Sequence, residues 1–300
     1  MSAAEQGFIQ AADGVSLRCA LWCAQTPQAA LLLVHGVASH LDWYRPLAED
    51  LRSRGITTFI VDRRGTGSSG GARGHAPSAA ALVDDVARAA AHLSAKVRGV
   101  PWHLAGVSLG ALIATTAVVH KAVSPSSLLL ITPAFGLARP LTRLQRLHVR
   151  VLSALVPRAN LRLPYDAKSV ARTSDWQTAL DADPLRLRSI TARLARITLD
   201  MQAEVLAYSS NLHLPVLLQL AGADRVVDNA LARSFFAQVR GSGACEEYEG
   251  APHGLPLSLA QGRLEAALAA WILEGYRRAG RASEHVERDA TALLRRPGRA

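Results

Sequence analysis

The sequence predicts an α/β fold in which a mostly parallel sheet carries helices on both faces. Short apolar runs alternate with stretches of helical periodicity, and this alternation is typical of parallel strands covered by helices. It is interrupted between residues 136 and 211, where leucine and arginine recur at helical spacing between prolines, and it then resumes. We therefore expect an all-helical insertion in one α/β domain. The apolar content of 49% and the charged content of 19% agree with a globular enzyme.

The predicted elements follow one another in a regular order. The strands are expected at 16–22, 29–34, 57–61, 102–105, 127–131, 216–220 and 245–248. The helices are expected at 43–54, 78–96, 108–121, 229–240 and 257–277. The first strand alternates like a half-buried strand, whereas the second is a continuous apolar run, as in a buried parallel strand. Gly55 ends the first helix, and Ser78 is a suitable N-cap for the second.

The run from Gly106 to Gly110 has the form G-x-S-x-G and carries Ser108 at its centre. A predicted strand precedes this run and a predicted helix follows it, which is the context in which the motif exposes a nucleophilic serine. We therefore predict that Ser108 is a nucleophile. The backbone amide of Leu109, at the start of the helix, is expected to stabilise a carbonyl oxygen that becomes negative.

His35 and Gly36 directly follow the buried strand at 29–34. A His-Gly pair at this position commonly opens the loop that donates the second amide to the oxyanion, and we assign that amide to Val37. His35 precedes the nucleophile on this loop, so we expect it to have a structural role and not to act as the base. No carboxylate lies at a spacing that would make His35 and His40 metal ligands.

An acid and a base are predicted from the second half of the sheet. Asp224 lies just past the strand at 216–220, at the carboxyl edge where open parallel sheets bind their ligands. Asp228 is the alternative acid, but its position before a helix indicates an N-cap. His253 lies on a loop after the last strand and is the predicted base. The order serine, acid, histidine is the order expected after a G-x-S-x-G turn.

These residues resemble the monoacylglycerol lipase and lysophospholipase branch of the α/β-hydrolases, which is also described as serine aminopeptidase-like. Besides the residues above, the resemblance is carried by the segments 31–36, 62–71, 73–75, 183–185 and 222–224, within a match to about residues 8–275. It implies an α/β-hydrolase fold with a mostly parallel eight-stranded sheet and an inserted helical cap. It also implies a serine hydrolase of small-molecule or lipid esters that needs no cofactor and no metal.

The sequence departs from this branch in three places. Ser39 replaces the usual glutamate of the oxyanion loop, Trp43 replaces an arginine, and Thr66 replaces a histidine of the second glycine loop. In the lipases the replaced glutamate and arginine are associated with the glycerol head group, so the head group stays open here. Thioesterase, amidase or peptidase, and acyltransferase activities use the same three residues and remain alternatives, as does a catalytically silent binding protein.

We expect the chain to divide into a core at 1–135 and 212–278, a cap at 136–211 and a basic, disordered tail at 279–300. Most of the net charge of +10 lies in the cap and the tail, since residues 136–205 contain twelve basic and six acidic residues. Such charge more often forms a solvated face, and peripheral contact with an anionic membrane through the cap or the tail is the alternative. No nucleic-acid motif accompanies it.

The cap contains an apolar face at helical spacing, formed by Leu141, Leu144, Leu147, Val151 and Leu155. We expect this face to pack onto the core, with contact to lipid as the alternative. The sequence begins without a basic segment followed by an apolar run, and its three cysteines lack the spacing of a metal site. We therefore expect a cytoplasmic protein, whose oligomeric state the sequence does not predict.

Overall fold

An eight-stranded sheet forms the centre of the computed structural model, which describes residues 4–257 and 262–276. Its strands and those of a separate two-stranded sheet are β1 (Glu5–Gln10), β2 (Ser16–Trp22), β3 (Ala29–Val34), β4 (Ile56–Val61), β5 (Trp102–Val107), β6 (Leu128–Ile131), β7 (Asn160–Arg162), β8 (Ser189–Thr191), β9 (Val216–Ala221) and β10 (Gly243–Tyr248). The large sheet has the order β1-β2-β4-β3-β5-β6-β9-β10. The pairs β1–β2 and β2–β4 are antiparallel, and every other adjacent pair is parallel.

Helices cover both faces of this sheet. The α-helices of the described residues are α1 (Arg45–Ser53), α2 (Ala79–Lys96), α3 (Leu109–Val119), α4 (Arg143–Leu155), α5 (Ala167–Val170), α6 (Ser174–Ala182), α7 (Ala192–Ala207), α8 (Asn229–Gln238) and α9 (Arg263–Ala270). Apolar side chains of α2, α3, α7 and α8 pack on one face of the sheet, and those of α1 and α9 pack on the other. The central strands β3 and β4 are consequently buried along their whole length. The predicted fold class is confirmed.

Some predicted boundaries are wrong by a few residues. The helix expected from residue 43 begins at Arg45, because Leu41–Tyr44 forms a 3-10 turn. The helix expected from residue 257 begins at Arg263, after another 3-10 turn at Leu255–Leu257, and residue 277, its expected end, lies outside the described residues. Ser78 caps α2 as predicted, since its side chain accepts a hydrogen bond from the backbone of Ala81.

The expectation of an all-helical insertion is wrong. Between β6 and β9 the chain forms α4 to α7, but it also forms the antiparallel pair β7 and β8. The two strands have three residues each, and they lie on either side of α5 and α6. Local periodicity therefore could not reveal them, because each strand is stabilised by a partner far away in the sequence.

The apolar face predicted in the cap does not pack onto the core. Leu144 and Leu155 are 75% and 76% exposed, and Leu147 and Val151 are also exposed. The buried residues of α4 are Val149 and Ser153, on another side of the helix, and α4 packs against α7. The helix therefore presents a row of exposed apolar side chains, which is the arrangement that the alternative prediction, contact of this face with lipid, requires.

The division into core and cap stays a prediction, and the tail at 279–300 lies outside the described residues. Within the described ranges, no helix has both the length and the apolar character that crossing a membrane requires.

Candidate active site

Ser108 lies at the junction between β5 and α3, in a backbone conformation that non-glycine residues rarely adopt, with φ 54° and ψ −117°. The two glycines of the motif allow this tight turn. A Cβ atom at Gly106 would overlap the backbone of Ala111, and one at Gly110 would overlap the carbonyl oxygen of Val34. The motif therefore holds the serine rigidly at the carboxyl edge of the sheet.

The three side chains predicted to act together form one chain of hydrogen bonds. Nε2 of His253 lies 2.9 Å from Oγ of Ser108, and Nδ1 of His253 lies 2.8 Å from Oδ2 of Asp224. The other carboxylate oxygen of Asp224 accepts hydrogen bonds from the backbone amides of Val226 and Val227, at 2.8 and 2.9 Å. An imidazole that donates its Nδ1 proton to Asp224 keeps Nε2 free to accept the proton of Ser108.

Asp228, the alternative acid, lies at the start of α8. Its Oδ1 accepts hydrogen bonds from the backbone amides of Ala230 and Leu231, at 2.8 and 3.3 Å. These are the contacts of an N-cap residue. The structure thus joins His253 to Asp224 and gives Asp228 the capping role that its sequence position indicates.

The backbone amides of Val37 and Leu109 face no competing acceptor. Both residues line one cavity together with Ser108. Among residues 4–257 and 262–276, neither amide has a hydrogen-bond acceptor. The loop is close to the nucleophile, since a Cβ atom at Gly36 would lie 3.4 Å from Cβ of Ser108. Two unpaired amides at this position are what an oxyanion hole requires.

His35, the first residue of this loop, fixes the loop through hydrogen bonds of its ring. Its Nε2 accepts the backbone N–H of Arg63 at 3.0 Å, so its proton lies on Nδ1, which is 2.9 Å from the carbonyl oxygen of Gly36. Complete burial, with Arg63 nearby, lowers the pKa of His35 well below its ordinary value. The imidazole is therefore a neutral structural group.

Arg63 is a residue of the site that the sequence analysis missed. Its buried guanidinium donates to the carbonyl oxygens of His35, Gly36 and Val37, at 3.1, 2.8 and 3.2 Å. Burial lowers the pKa of Arg63 to about 10. The carbonyl of Gly36 and the N–H of Val37 belong to one planar trans peptide and point in opposite directions. Because the guanidinium of Arg63 binds this carbonyl, the N–H of Val37 points away from the guanidinium.

Two cavities meet at Ser108. The larger has a volume of about 240 Å³, and its lining is mostly apolar and comes from both cap and core. Its apolar lining residues include Leu137, Leu141, Val149, Leu163, Ala195, Leu199 and Val226. The smaller has a volume of about 40 Å³ and lies on the side of His253, with Ser39, Tyr44, Tyr165 and Arg186 in its lining. Both linings are mostly apolar, and each cavity has one arginine in its lining, Arg186 in the smaller and Arg162 in the larger.

The cap contacts the loops that carry the candidate catalytic groups. Oδ2 of Asp183 accepts hydrogen bonds from Nε1 of Trp43 at 2.6 Å and from Nε2 of His40 at 2.8 Å. Two backbone hydrogen bonds add to these contacts. The N–H of Leu187 in the cap donates to the carbonyl oxygen of Ala38 in the oxyanion loop, and the N–H of Gly254 in the His253 loop donates to the carbonyl oxygen of Val170 in the cap. The position of the cap is therefore coupled to both loops.

The chain matches the profile of the family described as serine aminopeptidase, S33 (Hydrolase_4) over residues 25–257. It is 27% identical over 236 residues to phospholipase YtpA of Bacillus subtilis, with 77% of this chain and 90% of that protein covered. It is 28% identical over 249 residues to the monoglyceride lipase of Homo sapiens, with 81% and 82% covered.

Solved structures have the same fold. The monoacylglycerol lipase of Paleococcus ferrophilus aligns with a TM-score of 0.78 and 23% identity, over 86% of this chain and 98% of that one. A soluble variant of the monoglyceride lipase of Saccharomyces cerevisiae aligns with a TM-score of 0.83 and 18% identity, over 92% and 96%.

Proposed function

We propose that an acyl-enzyme forms on Ser108 of this chain, which belongs to the serine aminopeptidase S33 family of α/β-hydrolases and is an ester-hydrolysing enzyme of its monoacylglycerol lipase branch. The observation that carries this proposal is the hydrogen-bonded series from Ser108 through His253 to Asp224, with distances of 2.9 and 2.8 Å. Nucleophile and base are within proton-transfer distance, and a third group orients the base.

In the proposed reaction the hydroxyl oxygen of Ser108 attacks the ester carbonyl while His253 accepts the hydroxyl proton. The oxygen that becomes negative is stabilised by the amides of Val37 and Leu109, and Asp224 stabilises the imidazolium. The C–O bond to the alcohol then breaks, and His253 gives its proton to the departing alcohol. A water molecule, deprotonated by His253, attacks the acyl-enzyme and releases the acid.

The larger cavity supports a substrate with a medium or long acyl chain. Its lining residues are mostly apolar, with Arg162, Thr198 and Gln202 among the exceptions, and burying a methylene group against an apolar surface stabilises it by about 0.8 kcal/mol. Relatives named as lipases and a phospholipase support an ester as the bond cleaved. Thioesters, amides and acyl transfer to another alcohol would use the same groups, so they belong in the substrate panel.

We also propose that α4 brings the enzyme to anionic membranes. Leu144, Leu147, Val151 and Leu155 are exposed along one side of this helix, and an adjacent side carries Arg143, Arg146 and Arg150. The helix contains no acidic residue. An apolar side next to a basic one is the pattern of a helix that lies in an anionic lipid surface. Val149 of the same helix lines the larger cavity, so a lipid substrate would have a short path to Ser108.

The nucleophile is tested by the change Ser108→Ala, with Ser124→Ala on an exposed loop as the matched control. Purified proteins are compared on p-nitrophenyl esters, monoacylglycerols, acyl thioesters and peptide amides. Turnover of esters is expected to fall by about a million-fold in Ser108→Ala, the scale known for such nucleophiles. The control is expected to keep wild-type activity and labelling by a fluorophosphonate. Substantial esterase activity in Ser108→Ala would contradict the proposal.

A further inference from the structure

The smaller cavity beside Ser108 and His253 contains one cationic side chain, that of Arg186. Arg186 lies in the cap between α6 and β8, and only 7% of its side chain is exposed. The sequence analysis did not single it out, because nothing in its local sequence distinguishes it from the other arginines of the cap. Because the larger cavity is proposed to hold the acyl chain, the smaller cavity that Arg186 lines is left for the alcohol part of an ester.

The hydrogen-bonding capacity of Arg186 is only partly used. Nη1 donates to Oδ1 of Asp181 at 2.7 Å and to the carbonyl oxygen of Leu180 at 3.3 Å. Within the part of the chain that the structure describes, Nε and Nη2 of Arg186 have no acceptor. The Asp181 side chain is 61% exposed, so water screens its charge and it neutralises the guanidinium incompletely.

The other residues around this cavity leave the charge of Arg186 unopposed. None of the described residues that line it is an aspartate or a glutamate. Ser39, which stands where the resembling lipases usually have a glutamate, has a neutral hydroxyl, 3.1 Å from the hydroxyl of Tyr44. Tyr165 adds another neutral hydroxyl group. The smaller cavity is therefore lined by one cationic side chain and neutral hydroxyl groups among mostly apolar residues.

We propose that Arg186 binds an anionic group, a phosphate or a carboxylate, on the alcohol part of the substrate ester. This inference rests on the proposed function and adds the class of leaving group. Two N–H groups of one guanidinium match two oxygens of such an anion. The volume of about 40 Å³ corresponds to only a few water molecules, at roughly 10–15 Å³ each. The space therefore suits a small anionic group better than a bulky head group such as phosphocholine.

The test compares three esters with the same hexanoyl chain: 1-hexanoylglycerol, its 3-phosphate and O-hexanoyl lactate. Esters this short are used as dissolved monomers, so binding to a lipid surface does not contribute. The variants are Arg186→Gln and, as the matched control, Arg188→Gln, which removes an exposed arginine from the same segment. Values of kcat/KM are measured at fixed ionic strength, and p-nitrophenyl hexanoate reports the esterase activity itself.

The wild type is expected to prefer at least one anionic ester to the neutral one by about tenfold or more, since a hydrogen bond to a charged group is worth about that factor. Arg186→Gln should abolish this preference by losing more activity on the anionic esters than on 1-hexanoylglycerol, while Arg188→Gln retains the preference. Cleavage of p-nitrophenyl hexanoate without any preference for an anion would overturn the inference and leave the proposed function standing. An equal loss on all esters in Arg186→Gln would also overturn it. Failure of the wild type to cleave any ester would reject the proposed function itself.

Discussion

Arg63 determines which way the peptide between Gly36 and Val37 faces. The guanidinium binds three successive carbonyl oxygens of the oxyanion loop, and the amide of Val37 points the opposite way from the carbonyl of Gly36. A buried cation next to this loop also favours negative charge in the cavity above it. We therefore propose Arg63 as a positioning residue for the oxyanion hole, although the sequence analysis used its segment, 62–71, only as evidence for the family resemblance.

The first prediction concerns Arg63→Met. The loop loses the donor that orients it, so kcat is expected to fall by about tenfold to a thousandfold, the cost of one misplaced oxyanion donor. KM should change little, and Arg63→Lys should restore part of the activity because one carbonyl regains a donor. The control Arg64→Lys alters the ion pairs with Asp85 and Asp13 and should lower only the melting temperature. Wild-type kcat in a folded Arg63→Met protein would contradict this role.

The second prediction separates the two aspartates that the sequence left as alternatives. Asp224→Asn removes the acceptor that orients His253 and should lower kcat by about 10⁴-fold. Asp228→Ala removes the N-cap of α8 and should lower the free energy of unfolding by about 1 kcal/mol, with unchanged kcat. Steady-state kinetics and urea unfolding of both variants measure these effects. A catalytic defect in Asp228→Ala alone would show that the acid is misassigned.

At the scale of elements, the sequence predicted the buried strands and the mostly exposed β10, but it missed β1, β7 and β8. Strand β3 is a continuous apolar run and lies where expected, whereas β1 was missed because Ile9 is its only buried side chain. The strands β7 and β8 were missed because each depends on a distant partner. The apolar row on α4 was recognised, but periodicity alone does not tell whether such a row faces the core or solvent.

The third prediction concerns this exposed row. The double change Leu144→Glu with Leu155→Glu places charges where apolar contact with lipid is proposed. Binding to phosphatidylglycerol vesicles in co-sedimentation should weaken by at least about tenfold, since burying each leucine is worth about 1.5–3 kcal/mol. Hydrolysis of a dissolved ester such as p-nitrophenyl butanoate should not change. High salt should weaken wild-type binding, because it screens the arginines of α4.

The control for this experiment is Phe8→Glu, which changes an exposed apolar side chain on β1, away from the cap. It should bind vesicles like the wild type. Equal binding of the wild type to anionic and zwitterionic vesicles would contradict the contribution of the arginines. Unchanged binding of the double variant would remove α4 from the membrane contact.

At the scale of the whole molecule, the candidate active site is lined by residues from two parts of the chain that the sequence analysis treated separately. Ser108, Asp224 and His253 could be predicted because each follows a strand of the sheet in a recognisable local context. Arg186 and Asp183 could not, because their roles depend on how the cap lies on the core. The sequence shows that a cap exists, but its contacts join residues more than a hundred positions apart.

The acyl cavity gives the last prediction, because it exists only where cap and core meet. Ala195 on α7 lines this cavity, and Ala195→Trp would fill part of its volume of about 240 Å³. Activity on p-nitrophenyl dodecanoate should then fall by about tenfold or more, because each methylene excluded from an apolar site costs about 0.8 kcal/mol. Activity on p-nitrophenyl acetate should persist, since the triad is untouched. The control Ala203→Trp adds the same bulk on the exposed side of α7 and should leave both activities unchanged. If Ala195→Trp kept the wild-type preference for long chains, the acyl group would have to bind outside this cavity, and the assignment of acyl and alcohol sides around Ser108 would be reversed.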